Sequence, residues 1–270
     1  MLRIYSTDPQ YITLARNALD QLAGVAHAWT YTHTMGVFVG DWIEVTRGAM
    51  FATAQGVRPH SVTLIDRVIA NRNITRIIHS HANDASPERD LPGLRSDDWF
   101  SGIGRRVMDA IGTTARATGG IGTGTLIRWS GGPNSTANQS AMGIIRMEAC
   151  PNYILLAHEL VHADRFGRGL LNLQRGNSPF AVDWRQDGRG SALYHHNGFQ
   201  LVNEVWMDGT MELAEEIATV GLSDSDHICP NDPLAITENM IRREHGIPQR
   251  LKYGAFNRPV EGVFAFFMNF

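Results

Sequence analysis

The string His158-Glu159-Leu160-Val161-His162 carries the most specific chemistry in the chain. A spacing of four puts the two histidines one above the other on a single helix face. Both imidazoles then reach one divalent ion, and Zn²⁺ takes imidazole nitrogen at about 2.0–2.1 Å. Glu159 is rotated by about 100° from His158, at 3.6 residues per turn, which sets its carboxylate beside such an ion. Zinc lowers the pKa of a bound water toward about 7, and a neighbouring carboxylate accepts the proton that water gives up. The spacing therefore points to hydrolysis with zinc as cofactor. The plainer reading is a pair of histidines hydrogen-bonded inside a core.

A hydrolytic zinc site needs a third protein ligand and one open position. The downstream run MELAEEIATVGL offers Glu212, Glu215 and Glu216. At about 100° per residue, with Leu213 at zero, Ile217 falls at about 40° and Val220 at about −20°, so these three set the inward stripe. Glu216 falls at about −60°, on the edge of that stripe. Glu212 falls at about −100° and Glu215 at about 200°, facing away. A carboxylate among apolar residues needs a partner, and a metal is one. Glu216 is therefore the favoured ligand, Glu212 a group for the layer behind the ligands, and Glu215 part of a solvated acidic face.

Several elements must hold these residues. The approach Tyr153 to Ala157 and the glycines after the motif bound a helix at about 152–166. A helix over 7–23 has Tyr11, Leu14, Ala15, Ala18 and Leu22 in helical register, with Thr7 as cap. Residues 36–46 and 74–80 read as strands. Residues 125–129 (TLIRW) and 142–147 (MGIIRM) read as a strand pair joined by a polar loop. Helices are expected at about 96–117, 203–220 and 235–245, with an irregular stretch at 167–200 and an apolar tail at the end. Residues 119–124 (GGIGTG) read as a flexible turn; without a following Gly-Lys-Ser/Thr they make no phosphate loop. A boundary near 167 divides a lobe at 1–166, with sheet and motif helix, from a mostly helical lobe at 167–270. Both belong to one catalytic domain.

Composition narrows the class. The chain has 270 residues, 43% hydrophobic and 19% charged, enough for one large domain or two lobes around a cleft. A net charge of −3 and a pI near 6.4 argue against a nucleic-acid binder led by a basic surface. No apolar run is long enough to span a membrane. MLRIYSTDPQY lacks a basic stretch followed by an apolar one, so no Sec-type signal is visible. Cys150 and Cys229 read as free thiols, without the spacing of a metal pair. Of 24 basic residues only Lys252 is lysine. A GC-rich genome gives that bias, and so does avoidance of ubiquitin acceptors in a eukaryotic cytosol.

Weaker candidates read as structural. His79 and His81 share a strand face, where hydrogen-bonded or solvated histidines are commoner than a second metal. His195-His196 reads as surface. Asp224, Asp226 and Asp232 complete no calcium loop. Trp99, Trp129, Trp184 and Trp206 read as core or cleft walls.

Taken together, HELVH followed by Glu215-Glu216-Ile217-Ala218-Thr219-Val220-Gly221 resembles the clostridial neurotoxin light chains, which carry HELxH and a later EExxTxG. The second glutamate of that pattern, the zinc ligand, falls on Glu216. Their Arg-x-x-Tyr pair falls on Arg250 and Tyr253. The longer run ITENMIRREHGIPQRLKYG more closely resembles the NleD-like effector metallopeptidases. The resemblance covers about 143–254; the wide gap between His162 and Glu216 implies an insertion at about 167–200.

That resemblance implies an α+β zincin-like fold of gluzincin type and a metalloendopeptidase acting as a secreted bacterial effector or toxin. Its virulence role is to cut a host protein, such as a signalling kinase, in the target-cell cytoplasm after delivery by a specialised non-Sec system. It implies His158, His162 and Glu216 on the metal and Glu159 as general base. Arg250 and Tyr253 then serve the oxyanion; the plainer reading is that Arg250 pairs with an acid such as Glu238 and Tyr253 simply packs, and both can hold, since a buried Arg needs a carboxylate anyway. In zincins an edge strand pairs with extended substrate, a role expected of 142–147 or 125–129. Partners are a protein or peptide substrate and a secretion chaperone or immunity protein, with no nucleic acid. Two other readings stand beside this one: a zinc amidase acting on cell-wall peptides of rival bacteria, and a non-enzymatic module stabilised by zinc.

Overall fold

A computed structural model describes residues 1–35, 41–81, 83–88, 120, 122–132, 134–139, 145–170, 215, 218–221, 232 and 234–250. The expected helix at 96–117, the stretch 171–200 and the apolar tail lie outside the described residues. So do Glu212, Glu216, Cys229, Tyr253, Trp99, Trp184, Trp206, His195 and His196.

The chain is a mixed α+β fold. Its main sheet has six strands: β1 (Leu2–Tyr5), β2 (Trp29–Thr34), β3 (Trp42–Arg47), β4 (Thr75–His79), β5 (Asp84–Glu88) and β6 (Gly124–Trp129), in the order β2-β3-β1-β4-β6-β5. The centre, β1-β4-β6, is parallel; β3 and β5 run antiparallel to their inner neighbours. Registers such as Ile4 with Ile43 and Ile77, and Ile77 with Ile127, gather the alternate apolar side chains onto one face. Three helices cover that face: α1 (Pro9–Ala23), α3 (Pro59–Ala70) and α4 (Asn152–Gly167), with the short α2 (Phe51–Val57) beside α3. Burying each such Leu or Ile contributes about 1.5–3 kcal/mol. Leu2, Ile4, Leu64, Ile65, Ile77, Ile127, Leu156 and Leu160 form the centre of the core.

Helix α1 follows its pattern, burying Tyr11, Ala15, Ala18, Leu19 and Leu22. Its cap is Asp8 rather than Thr7: the Asp8 carboxylate accepts from the Gln10 N–H. Strand β3 starts at Trp42, later than expected, and residues 36–40 are outside the described set.

Two expectations about the strands are overturned. TLIRW and MGIIRM do not pair. β6 lies between β4 and β5, whereas β8 (Ile145–Cys150) pairs with β7 (Asn134–Gln139), which lies inside the stretch read as a loop. β7 is polar except for Ala137 (NSTANQ) and so has no apolar alternation to reveal it. The edge beside β6 is β5, whose sequence DASPE has low strand propensity. Residues 125–129 are therefore interior and unavailable as a substrate-pairing edge.

The GGIGTG segment is a close crossing rather than a flexible turn. The Gly120 N–H donates to the Gly169 carbonyl at 3.0 Å, and the Thr123 N–H donates to Phe166 at 3.1 Å. A Cβ on Gly122 would lie 2.0 Å from the Gly167 carbonyl oxygen, so the glycines let two backbones touch and pin the end of α4 to the start of β6.

Candidate metal centre

Helix α4 is buried nearly all round from Leu156 to Phe166. Its apolar residues Ile154, Leu156, Ala157, Leu160 and Val161 are fully enclosed. From His158 onward it buries His158, Glu159, His162, Asp164 and Arg165 as well. Buried polar groups need partners; Asp164 pairs with Arg67 and Arg168, and two later segments supply partners for His158, His162 and Arg165. One is the helical stretch through Glu215 and 218–220. The other is α5 (Glu238–Glu244), capped by the Thr237 side chain.

His158 Nδ1 lies 2.7 Å from Glu238 Oε2. The same carboxylate accepts from Arg242 Nε at 2.5 Å and from Arg250 Nη1 at 3.3 Å. Arg250 is in turn held through its backbone, because Asn239 accepts from the Arg250 N–H and donates to its carbonyl, both at 2.8 Å. Burial pushes the Glu238 carboxyl up, but Arg250, His158 and Arg242 outweigh it and hold it well below the usual carboxylate range.

His162 is oriented in the same way by different groups. Its Nδ1 lies 3.1 Å from Thr219 Oγ1 and 3.4 Å from Glu215 Oε1. Arg165 grips Glu215 with two parallel bonds, Nε to Oε1 at 2.6 Å and Nη2 to Oε2 at 2.8 Å. Burial pushes Glu215 up, yet the Arg165 pair and His162 hold it down at about 2. Phe166 stacks on the His162 ring, with centroids 5.6 Å apart.

In the tautomer in which each Nδ1 donates to its oxygen partner, each Nε2 keeps its lone pair, and the two Nε2 atoms stand 3.2 Å apart. Two nitrogens at zinc distance and the tetrahedral angle stand about 3.3–3.4 Å apart. Facing lone pairs at this spacing fit a shared cation, and the carboxylate and hydroxyl behind them are the usual support for metal-bound imidazoles. The donor set therefore suits zinc. Among the described residues no group of three His, Cys, Asp or Glu side chains converges as a complete metal site.

The structure thus brings together His158, Glu159 and His162 on α4 and places Arg250 behind His158, on Glu238. Glu215 is 3% exposed and ion-paired, so its assignment to a solvated face is corrected. The wheel measured apolar character only, and Arg165 is a partner it does not see. Sequence reasoning also missed Thr219, Asn239 and the bond from Glu238 to His158; an i, i+4 pair such as Glu238–Arg242 is the only local signal for these. His79 and His81 are exposed, their rings 6.3 Å apart, and His79 packs on Tyr11. Trp129 is core, as expected. Cys150 is a buried free thiol, pushed up to about 11 by burial.

Among the described residues no helix is long and apolar enough to cross a membrane. No curated protein matches the chain. Among solved structures, a crystal structure of botulinum neurotoxin type G light chain aligns at 13% identity and a TM-score of 0.29, over 92% of this chain. The chain spans 64% of that light chain's length. Residues 72–253, more than half of the chain and including every side chain that braces the two histidines, match the Peptidase M91 family, described as effector protein. The chain belongs to this family of effector peptidases.

Proposed function

We propose that the chain is a zinc-dependent endopeptidase of zincin-like fold that cuts a protein inside a target cell. The observation that carries this reading is the paired imidazoles, with Nε2 atoms 3.2 Å apart and each Nδ1 turned to a buried side-chain oxygen. Family membership supports a peptidase and, with it, a protein substrate.

In this reading His158 and His162 hold the ion, with Glu216 as third ligand. Glu215 is taken up by Arg165, which supports giving the ligand role to its neighbour. Zinc in this place supplies Lewis acidity, polarising the peptide carbonyl and lowering the pKa of water. Glu159 takes the proton from the attacking water and returns it to the leaving amine. Arg250 and Tyr253 donate to the carbonyl oxygen as its charge grows; the grip of Glu238 and Asn239 fixes where Arg250 stands. Of the stretches expected to pair with extended substrate, 145–147 lie in β8, which among the described residues pairs with β7 alone, and β5, an edge of the main sheet packed beside α4, offers a second such edge. A cleft between the lobes at 1–166 and 167–270, delivery by a specialised secretion system and action in the target-cell cytoplasm complete the reading.

The test compares the parent with Glu159→Gln in host and bacterial lysates, reading new N-termini in the products. The parent should generate discrete cleavages, and Glu159→Gln should lose them by a factor of about 10²–10⁴ while keeping its zinc. Equal cleavage by both proteins would remove the mechanism. Glu216→Ala should lose metal; unchanged zinc content would move the third ligand elsewhere. Cleavage confined to cell-wall peptides would favour an amidase.

A further inference from the structure

We infer that Arg165, Glu215 and Thr219 form a brace that sets the orientation of His162, with Glu215 acting as a positioning residue and not as a metal ligand. The inference rests on the zinc-site reading above and assigns roles to residues that reading leaves unused.

The brace joins two helical faces. His162 and Arg165 are three apart on α4; Glu215 and Thr219 are four apart on the facing helical stretch. Both spacings put a pair on one face. The two faces meet so that the fork of Arg165 closes on Glu215, while Thr219 Oγ1 and Glu215 Oε1 both approach His162 Nδ1. Arg165 also donates to the Leu170 carbonyl at 2.9 Å, which ties the anchor to the end of its own helix. Glu215 therefore reaches His162 from behind, on Nδ1, while Nε2 faces His158. As a ligand Glu215 would have to leave Arg165, and a buried guanidinium stripped of its carboxylate is strongly unfavourable.

The brace is coupled to its counterpart on His158. Gly221, two residues after Thr219, has φ of +78°, and a Cβ there would lie 2.4 Å from Thr237 Oγ1. Thr237 caps α5, whose first residue, Glu238, holds His158. The glycine of the EExxTxG motif thus lets the segments that carry the two supports touch.

The test is chelator competition for Zn²⁺ and the visible spectrum of the Co²⁺-loaded protein, for the parent, Thr219→Val and Glu215→Gln. Melting of the metal-free proteins reports the fold. Thr219→Val keeps the side-chain shape and should leave metal-free melting nearly unchanged. Its zinc affinity should fall about 10-fold, and Glu215→Gln should fall further, toward about 100-fold, while still binding one ion. The Co²⁺ band should shift in both. Affinities within about twofold of the parent in both variants would overturn the brace. So would a Glu215→Gln protein that binds no metal beside a Thr219→Val protein that binds like the parent, because that pattern marks a ligand. Should Glu215→Gln fail to fold, Thr219→Val decides by the same criterion. A parent that binds no zinc at all would sink the zinc-site reading itself, an outcome distinct from the variant pattern that sinks the brace alone.

Discussion

The sheet half of the molecule and the region behind the two histidines are held together by opposite means. Around β1, β4 and β6 the contacts are apolar and the registers regular, and Leu2, Ile4, Ile77 and Ile127 meet α1, α3 and α4 with no charge among them. Around the second half of α4 the contacts are ionic and buried. Glu238 gathers Arg242, Arg250 and His158; Glu215 gathers Arg165 and His162. The apolar half tolerates change in proportion to volume. The ionic half does not, because each carboxylate pairs with several groups at once and its loss leaves buried guanidiniums without their counter-charge. Such a network is a costly way to gain stability and an effective way to fix two imidazoles, so its place behind the candidate metal ligands fits a functional role.

The largest expected effect sharpens that contrast. Glu238→Ala removes the carboxylate from two guanidiniums and from His158 and should cost about 3–5 kcal/mol. Thermal unfolding and metal titration together should show stability and zinc affinity falling in step. Leu64→Ala, in the apolar half, should cost about 2–5 kcal/mol through a cavity. In the folded protein at low temperature, its zinc affinity should match the parent. A Leu64→Ala protein that lost metal affinity as strongly as Glu238→Ala would break the comparison, since the two halves would then share one support.

A smaller effect lies at the joint between the halves. Glu244 on α5 accepts from the Ser61 N–H at 2.9 Å and from the Ser61 hydroxyl at 2.8 Å at the start of α3, and His245 Nε2 lies 3.3 Å from that hydroxyl. His245 also packs at a tilt against Tyr153 on α4, with ring centroids 5.2 Å apart. Burial lowers its pKa and Arg58 lowers it further, against the pull of Glu244. A base held below its unfolded pKa of about 6.5 contributes stability that is complete above that value and is lost as pH falls. Melting temperature should therefore decline between about pH 7.5 and 5.5, and His245→Gln should flatten that part of the profile. An unchanged slope in the variant would assign the decline to other groups.

The legible parts of the sequence were those with a period. The apolar spacing of α1 and α4 placed both helices within a few residues, and the four-residue interval placed His158 and His162 on one face. The pairing of Arg250 with Glu238 was visible as an alternative because a buried arginine requires an acid. What stayed hidden lacked a local signature. β5 (DASPE) and β7 (NSTANQ) have no large apolar residue, and neighbouring strands supply their backbone partners. Glu215 turned inward against its wheel position because Arg165, far away in sequence, waits there. Gly122 and Gly167 look like punctuation in one dimension and prove to be a contact in three.

The central claim is that His158 and His162 share one zinc ion through their Nε2 atoms. Diffraction data collected on either side of the zinc absorption edge, from crystals of the purified protein, test it most directly. One anomalous peak is expected at about 2.0–2.2 Å from both Nε2 atoms and from a Glu216 carboxylate oxygen. No peak at that position, or a peak bound through Glu215 with Arg165 displaced, would contradict it.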